Sequence, residues 1–317
     1  MRRIAAAGLL CLCIPSAPVS GQNTMDDVQI TTQQLTDGVY MLTGQGGNIG
    51  VSVGPDGVFV IDDQFAPLTE KILAAIAAIT SESVRFVFNT HWHGDHTGGN
   101  ENMGEAGALI VAHDNVRERM SADQVLQRIG RPVSTTPASP EGALPVVTFT
   151  DDVSFHINGD RLHAFHVENA HTDGDAIVHF VGANVVHMGD TFFRDRFPFI
   201  DTASGGSIDG LIAAAGAALG VMDGETQIIP GHGPLSTEAD VLALHDVLVE
   251  AKAAVQALVD EGMSEDEIVA ADPLAEWNET YAWGFINGER MTRTLVKDLT
   301  TEMSHEDMDH SDADHDH

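Results

Sequence analysis

The segment HWHGDH at residues 91–96 places three imidazoles and a carboxylate within six positions. It follows VRFVFN after one intervening threonine, and this run of β-branched and aromatic residues predicts a strand. Side chains two positions apart on an extended backbone share a face, so we expect His91, His93 and Asp95 to point one way and Trp92 to point toward the core. This density of ligating groups at a strand end predicts a metal site rather than a polar turn.

The second half of the segment is expected to change direction. Gly94 allows a tight bend, Asp95 can cap a helix that starts at once, and the turn directs His96 a new way. We therefore expect His91 and His93 to bind one metal ion, and Asp95 and His96 to bind a second one beside it.

Further candidate ligands stand at the ends of later strand-like runs. They are His171 in ENAHTDGD, Asp190 in VVHMGDTFF and His232 in IIPGHG. Both cysteines of the chain, Cys11 and Cys13, lie in a segment that we expect to be removed. Nitrogen and oxygen atoms alone would then hold the metal.

The first twenty-one residues have two arginines, a short apolar run and small residues, which is typical of a signal peptide. We expect export to the periplasm or beyond the cell. The chain has 15 basic and 48 acidic residues, a formal charge of −33. Nucleic acid and anionic membrane surfaces are therefore not expected as partners, because both require a cationic face.

Strands and helices alternate over the rest of the chain, which indicates a layered α/β architecture. Apolar residues at helical spacing predict one helix near 68–79 and another near 239–259. Residues 130–145 contain four prolines and are expected to form an irregular surface loop. We expect one catalytic domain over residues 22–301. The acidic, histidine-rich segment 302–317 is expected to be disordered.

The motifs HxHxDH, HTxGD, GDT and PGHG, in this order, resemble those of the metallo-β-lactamase superfamily over residues 39–258. The resemblance implies a four-layered αββα sandwich of two mixed β-sheets flanked by helices. Carried over by position, it implies one zinc ion on His91, His93 and His171, a second on Asp95, His96 and His232, and Asp190 as the bridge. Asp95 and Asp190 would also act as catalytic residues that relay a proton.

The resemblance implies an exported hydrolase of a cyclic amide or related acyl bond, with β-lactam cleavage as a promiscuous activity and a metal-bound hydroxide as nucleophile. Many β-lactam-cleaving members have a cysteine near the position of Asp190, which argues against a dedicated role in antibiotic resistance. The positive charge of two zinc ions exceeds the negative charge of two aspartates and a hydroxide, so the site has a net charge of roughly +1. The expected substrate is therefore a small molecule with a carbonyl and a carboxylate. The sequence does not indicate which oligomeric state the protein adopts.

Three alternatives remain open. The chain could be a lactonase or a glyoxalase II-like thioesterase, although it has HTDGD where glyoxalase II has HTPGH. It could be a sulfur dioxygenase that uses iron in place of zinc, although His96 and His232 favour two metal ions. It could also be a metal-buffering protein that binds metal through its histidine-rich tail.

Two kinds of supporting residue are expected around the ligands. Asp62, or its neighbour Asp63, and Asp175 would accept hydrogen bonds from the ligand histidines. Arg194 and Arg196 would bind a substrate carboxylate, or else pair with surface acids. Four phenylalanines of the same segment could line the pocket or fill the core, namely Phe192, Phe193, Phe197 and Phe199.

Overall fold

A computed structural model describes residues 25–311, with side chains described as far as residue 301. The predicted signal peptide and residues 312–317 lie outside this range. The described strands are β1 (Thr31–Thr36), β2 (Val39–Thr43), β3 (Ile49–Gly54), β4 (Gly57–Ile61), β5 (Val84–Phe88), β6 (Leu109–His113), β7 (Gln124–Leu126), β8 (Ser134–Thr136), β9 (Val147–Phe149), β10 (Asp152–Ile157), β11 (Asp160–His166), β12 (Ala176–Phe180), β13 (Val185–Phe193), β14 (Gln227–His232) and β15 (Ser236–Thr237). The helices are α1 (Thr69–Ala77), α2 (Gly94–Thr97), α3 (Asn100–Glu105), α4 (Asp114–Met120), α5 (Ile208–Leu219), α6 (Glu238–Asp260), α7 (Glu265–Ala271), α8 (Asn278–Tyr281) and α9 (Gly288–Ser311).

Two mixed sheets form the centre of the fold. The first has the order β1-β2-β3-β4-β5-β6-β9 and the second the order β10-β11-β12-β13-β14-β15. Strands β4, β5, β6 and β9 run parallel, as do β13 and β14, while the remaining neighbours are antiparallel. Parallel strands place their carboxyl ends at one edge of a sheet, and it is this edge that carries the motif residues.

Three apolar clusters divide the molecule into layers. One lies between the two sheets and contains Phe59 and Phe88 of the first sheet with Phe180 of the second. Another joins the outer face of the first sheet to α1 through Ile72. The third joins the second sheet to α5, α6 and α9, with Leu248 at its centre. The predicted αββα sandwich is confirmed.

Local sequence explains the helix borders. Thr237 and Asp240 form a capping box at the start of α6, so two otherwise unpaired N–H groups are satisfied. The face of α6 that was predicted to be apolar is buried in the structure. Packing of this face, rather than helix propensity, holds a helix of this length against the sheet.

Two segments differ from the sequence prediction. Part of the expected loop over 130–145 is ordered as β8, which pairs with β7 in a short hairpin. Helix α9 continues to Ser311, past the predicted boundary at residue 301. Glutamate, methionine and aspartate can extend a helix that is already nucleated, so the acidic composition after residue 301 does not by itself end α9. Among the described residues, no helix is long and apolar enough to cross a membrane.

Candidate metal centre

The motif residues meet where both sheets end. The segment 89–96 follows β5, and Asp62 follows β4. His171 lies in the loop between β11 and β12, Asp190 lies within β13, and His232 ends β14. The fold therefore brings together segments that are far apart in the chain, as expected from the carboxyl ends of parallel strands.

Three histidines and one carboxylate oxygen form the first cluster. The His171 Nε2 and His93 Nδ1 atoms are 2.8 Å apart. The Asp190 Oδ2 atom lies 3.5 Å from His171 Nε2 and 3.8 Å from His91 Nε2. All four ligand atoms lie within 4.8 Å of one another, which is close enough for one ion to contact every member.

The second cluster comprises Asp95, His96 and His232. The His232 Nε2 atom lies 3.2 Å from Asp95 Oδ2, and His96 Nε2 lies 3.8 Å from the same oxygen. The other Asp190 oxygen, Oδ1, is 3.2 Å from His96 Nε2 and 3.4 Å from His232 Nε2. Asp190 thus offers one oxygen to each cluster, which is the geometry of a bridging carboxylate.

An irregularity in β13 directs Asp190 into the centre. The pairing of β13 with β14 changes register on both sides of Gly189. Gly189 has a φ of 52°, and a side chain there would meet Thr90. A register shift of this kind re-aims the following side chain, here the carboxylate of Asp190.

The chemistry of the donor set fits a pair of cations. His91 Nε2, His96 Nε2 and Asp190 Oδ1 are buried and have no hydrogen-bond partner in the described part of the chain. Leaving such atoms unpaired is costly unless a further group satisfies them. The arrangement is consistent with a binuclear metal site.

In four of the five ligand histidines, the ring nitrogen that faces away from the clusters is held by a protein oxygen. The His93 Nε2 atom pairs with Asp201 Oδ2 at 3.0 Å, and the His96 Nδ1 atom pairs with Asp62 Oδ2 at 2.7 Å. His91 Nδ1 pairs with the Thr90 hydroxyl, and His171 Nδ1 pairs with a backbone carbonyl. These contacts fix each ring so that its other nitrogen faces the cluster.

Asp62 is the better supported of the two neighbouring aspartates. Besides His96, it accepts hydrogen bonds from the Thr90 N–H and hydroxyl. Its φ is 61°, a left-handed conformation that costs free energy and is retained where the surrounding contacts require it. Asp63 instead accepts from the Gly99 N–H and holds the backbone after α2.

Among the described residues, the Asp175 carboxylate accepts no hydrogen bond from a ligand histidine, contrary to the sequence expectation; only the Asp175 backbone carbonyl meets a ring, that of His166, at 2.8 Å. Its carboxylate accepts from the N–H and the hydroxyl of Thr172. It therefore holds the turn that carries His171. A carboxylate three residues after a threonine closes the turn locally, and the ring is left to the carbonyl of Phe199.

The protonation of the two clusters differs. Burial lowers the pKa of His171 to about 4. Burial also opposes the charge of His232, but the Asp190 and Asp95 carboxylates outweigh it and raise the pKa of His232 to about 9. Against the effect of burial, His96 and His232 lower the pKa of Asp95 to about 2. A cation that enters the second cluster must therefore displace a proton from His232 at neutral pH.

The clusters open into a cleft of about 730 Å³. Its lining includes Asp95, Asp190 and His232, so both clusters can be reached from it. Six aromatic side chains contribute to the walls: Phe65, Trp92, Phe193, Phe199, Trp283 and Phe285. Of the four phenylalanines left open by the sequence, Phe193 and Phe199 line the cleft while Phe192 and Phe197 are buried in the core.

The two predicted substrate arginines do not line the cleft. Arg194 pairs with Asp240 at 3.0 Å and with Asp195 at 3.3 Å. The guanidinium of Arg196 lies 5.0 Å from the ring centre of Trp283, on which it stacks. Arg194 therefore takes the alternative role of a surface ion pair. The basic residue that does line the cleft is Arg128, which no motif in the sequence marks.

An αββα sandwich that joins two histidine–aspartate clusters at its strand ends defines a metallo-hydrolase with a binuclear type of site. The chain belongs to the Metallo-beta-lactamase superfamily, whose family model matches residues 42–236.

The chain resembles known proteins in sequence and in structure. A hydroxyacylglutathione hydrolase of Erythrobacter litoralis (strain HTCC2594) is 28% identical over 112 residues, which are 35% of this chain and 35% of that protein. The match thus spans about a third of that relative. A metallo-beta-lactamase from Pontibacter korlensis superposes with a TM-score of 0.57 at 18% identity, covering 69% of this chain and 99% of the other. A double mutant of the sec-alkyl sulfatase PisA1 superposes with a TM-score of 0.64 at 14% identity, covering 86% of this chain and 50% of the other. Likeness at these identities shows the fold.

Replacing Asp201 tests the support of the first cluster. In Asp201→Ala, the His93 Nε2 atom loses its carboxylate partner, so the ring is free to turn away from the cluster. We expect the affinity of the first metal ion to fall about 10- to 100-fold. Competition with a chelator would measure the change. Ser204→Ala is the control, because it removes only a donor to Asp201 and leaves the His93 contact. Equal loss in both variants would contradict the prediction.

Proposed function

We propose that the chain is an exported di-zinc hydrolase that cleaves a cyclic amide or a related acyl bond in a small molecule. The observation that carries the proposal is Asp190, whose two oxygens face two different ligand clusters beneath one open cleft. A shared carboxylate sets the distance between two cations, and this spacing suits an attacking and a departing atom on one scissile bond.

Two zinc ions bound there would supply Lewis acidity and a nucleophile derived from water at neutral pH. The chain itself contributes orientation and proton transfer. Asp95 lines the cleft beside Asp190, so its carboxylate is placed to accept a proton there. From there it can pass the proton to the departing atom. The aromatic walls exclude water and bind the apolar body of a substrate.

The bridging aspartate favours a general acyl hydrolase over a dedicated β-lactamase. Both a hydroxyacylglutathione hydrolase and metallo-beta-lactamases are among the proteins that the chain resembles. A cleft whose walls combine six aromatic side chains with polar groups near the clusters is compatible with cleavage of a β-lactam as a secondary activity. Export follows from the residues at 1–21 and is part of the proposal.

Elemental analysis and a substrate screen test this proposal together. The full chain, loaded with zinc and freed of excess metal, should contain two equivalents of zinc. It should hydrolyse at least one of three compounds, a β-lactam, a lactone and a thioester, and lose this activity on chelation. A single equivalent in a fully loaded and folded sample would contradict the proposal. One equivalent of iron together with oxidation of a persulfide would favour the sulfur dioxygenase instead.

A further inference from the structure

The cleft has one basic corner, built around Phe285. The guanidinium carbon of Arg128 lies 5.9 Å from the centre of this ring, and that of Arg131 lies 4.9 Å from it. Both arginines follow β7 in the hairpin that covers the cleft from one side. Arg128 and Phe285 belong to the cleft lining, so the corner is continuous with the space above the metal clusters.

Arg128 has no charged partner among the described side chains. Among residues 25–301, no carboxylate forms an ion pair with it, whereas Arg119, Arg194 and Arg293 each pair with at least one. The Arg128 Nε atom is buried and has no hydrogen-bond partner in the described part of the chain. Because Arg128 lines the cleft and no described carboxylate pairs with it, its guanidinium is available to an anionic ligand there.

A third arginine holds this corner in place. The Arg290 Nη1 atom donates to the carbonyl of Phe285 at 2.7 Å and to that of Gly284 at 3.2 Å. Its Nε atom packs against Gly130 of the hairpin, where an added Cβ would lie 3.3 Å away. In a chain of formal charge −33, two guanidinium groups over the Phe285 ring and a third on its backbone carbonyl make a local positive field at this corner of the cleft.

We propose that Arg128 is the substrate anchor of the cleft and selects acyl compounds that carry a carboxylate next to an aromatic body. The carboxylate would accept hydrogen bonds from the Arg128 guanidinium in a bidentate contact. The aromatic body would pack against Phe285 and Trp283. Arg131 and Arg290 raise the local potential without lining the cleft. The proposal rests on the proposed function, since it assumes that the cleft is where the substrate binds.

Ligand binding tests the anchor without any turnover. The zinc-loaded full chain is titrated with phenylacetate and with its uncharged counterpart phenylacetamide, and binding is followed by the fluorescence of the cleft tryptophans Trp92 and Trp283. Any contact of the carboxylate with zinc is common to all variants and cancels in the comparison. In Arg128→Ala, the Kd of phenylacetate should rise about tenfold or more, while that of phenylacetamide changes less than about twofold.

Two further variants separate the anchor from a general effect of charge or folding. Arg128→Lys keeps the charge but loses the fork, so it should recover part of the affinity for phenylacetate. Arg161→Ala removes the same charge from β11, outside the cleft lining, and should bind both ligands as the wild type does. Equal weakening of both ligands in Arg128→Ala, or no preference for phenylacetate in the wild type, would overturn the proposal.

Kinetics distinguishes failure of the anchor from failure of the proposed function. For an acyl substrate with a free carboxylate and for its methyl ester, Arg128→Ala should raise KM for the acid alone, with kcat little changed. If Arg128→Ala hydrolyses both compounds with the same ratio of acid KM to ester KM as the wild type, Arg128 is not the anchor, but the proposed hydrolase function is unaffected. Selective binding of phenylacetate through Arg128, with no hydrolysis of any acyl compound, would refute the proposed hydrolase function but support the anchor role of Arg128.

Discussion

Asp190→Ala is expected to hold fewer than two equivalents of zinc and to lose turnover by about 1,000-fold or more, which is roughly 4 kcal/mol of transition-state stabilisation. The reason is that this one side chain faces both clusters, with Oδ2 near His171 and Oδ1 near His96 and His232. Its removal takes a ligand atom from each ion and the charge that keeps them close together. Elemental analysis and kcat measurements would show the two losses.

A proton measurement gives this prediction a second readout. Because Asp190 and Asp95 raise the pKa of His232 to about 9, removal of the Asp190 carboxylate should lower that pKa in the metal-free protein. A titration of His232 by NMR would detect the change. Asp298→Asn is the control, because Asp298 is a buried carboxylate that accepts from the Ile208 N–H far from the clusters. Two zinc equivalents and full turnover in Asp190→Ala would refute the bridging role.

Local sequence predicted that the HWHGDH side chains lie together at a strand end, whereas the assignment of His171, Asp190 and His232 to the two clusters followed from the resemblance. HWHGDH follows a strand closely, and the backbone of a strand end determines which way its side chains face. Asp62 could be found for the same reason, since it also ends a strand. The alternation of strands and helices predicted the layered architecture, while the full sandwich followed from the resemblance and not from periodicity.

The supporting residues could not be found in this way. Asp201 lies 108 positions from His93, and no spacing rule joins them, because only tertiary packing brings the two side chains together. The side chains of Arg194 and Arg196 are long, so the position of these two residues near Asp190 in the sequence does not determine whether they reach the cleft. Arg194 turns to Asp240, whereas Arg128 enters the cleft from a hairpin whose second strand falls in the segment 130–145 that was predicted to be an irregular loop.

Gly47→Ala is expected to empty the second cluster. An added Cβ would lie 2.2 Å from His96 Cε1, well inside van der Waals contact, so either the ring or the backbone must move. The backbone is held, because the Gly47 N–H donates to the Asp95 carbonyl and the Gly47 carbonyl accepts from Gln64. The ring must therefore shift and lose its 2.7 Å contact with Asp62. We expect the second metal ion to bind about 100-fold more weakly, as when the support of a ligand is lost.

Gly94→Ala is the matched control, and it also tests the bend that the sequence assigned to this glycine. No heavy atom lies within 4 Å of a Cβ added at Gly94, which begins α2 and does not have a positive φ. The alanine variant should therefore keep two zinc equivalents, since nothing in the described structure requires a glycine at this position. Gly47→Ala should instead keep one equivalent, bound by the first cluster, with turnover at least about 100-fold lower. Two tightly bound ions in Gly47→Ala would show that His96 can move without loss of its metal, whereas loss of both ions with a lowered Tm would show that Gly47 supports the fold and not one cluster.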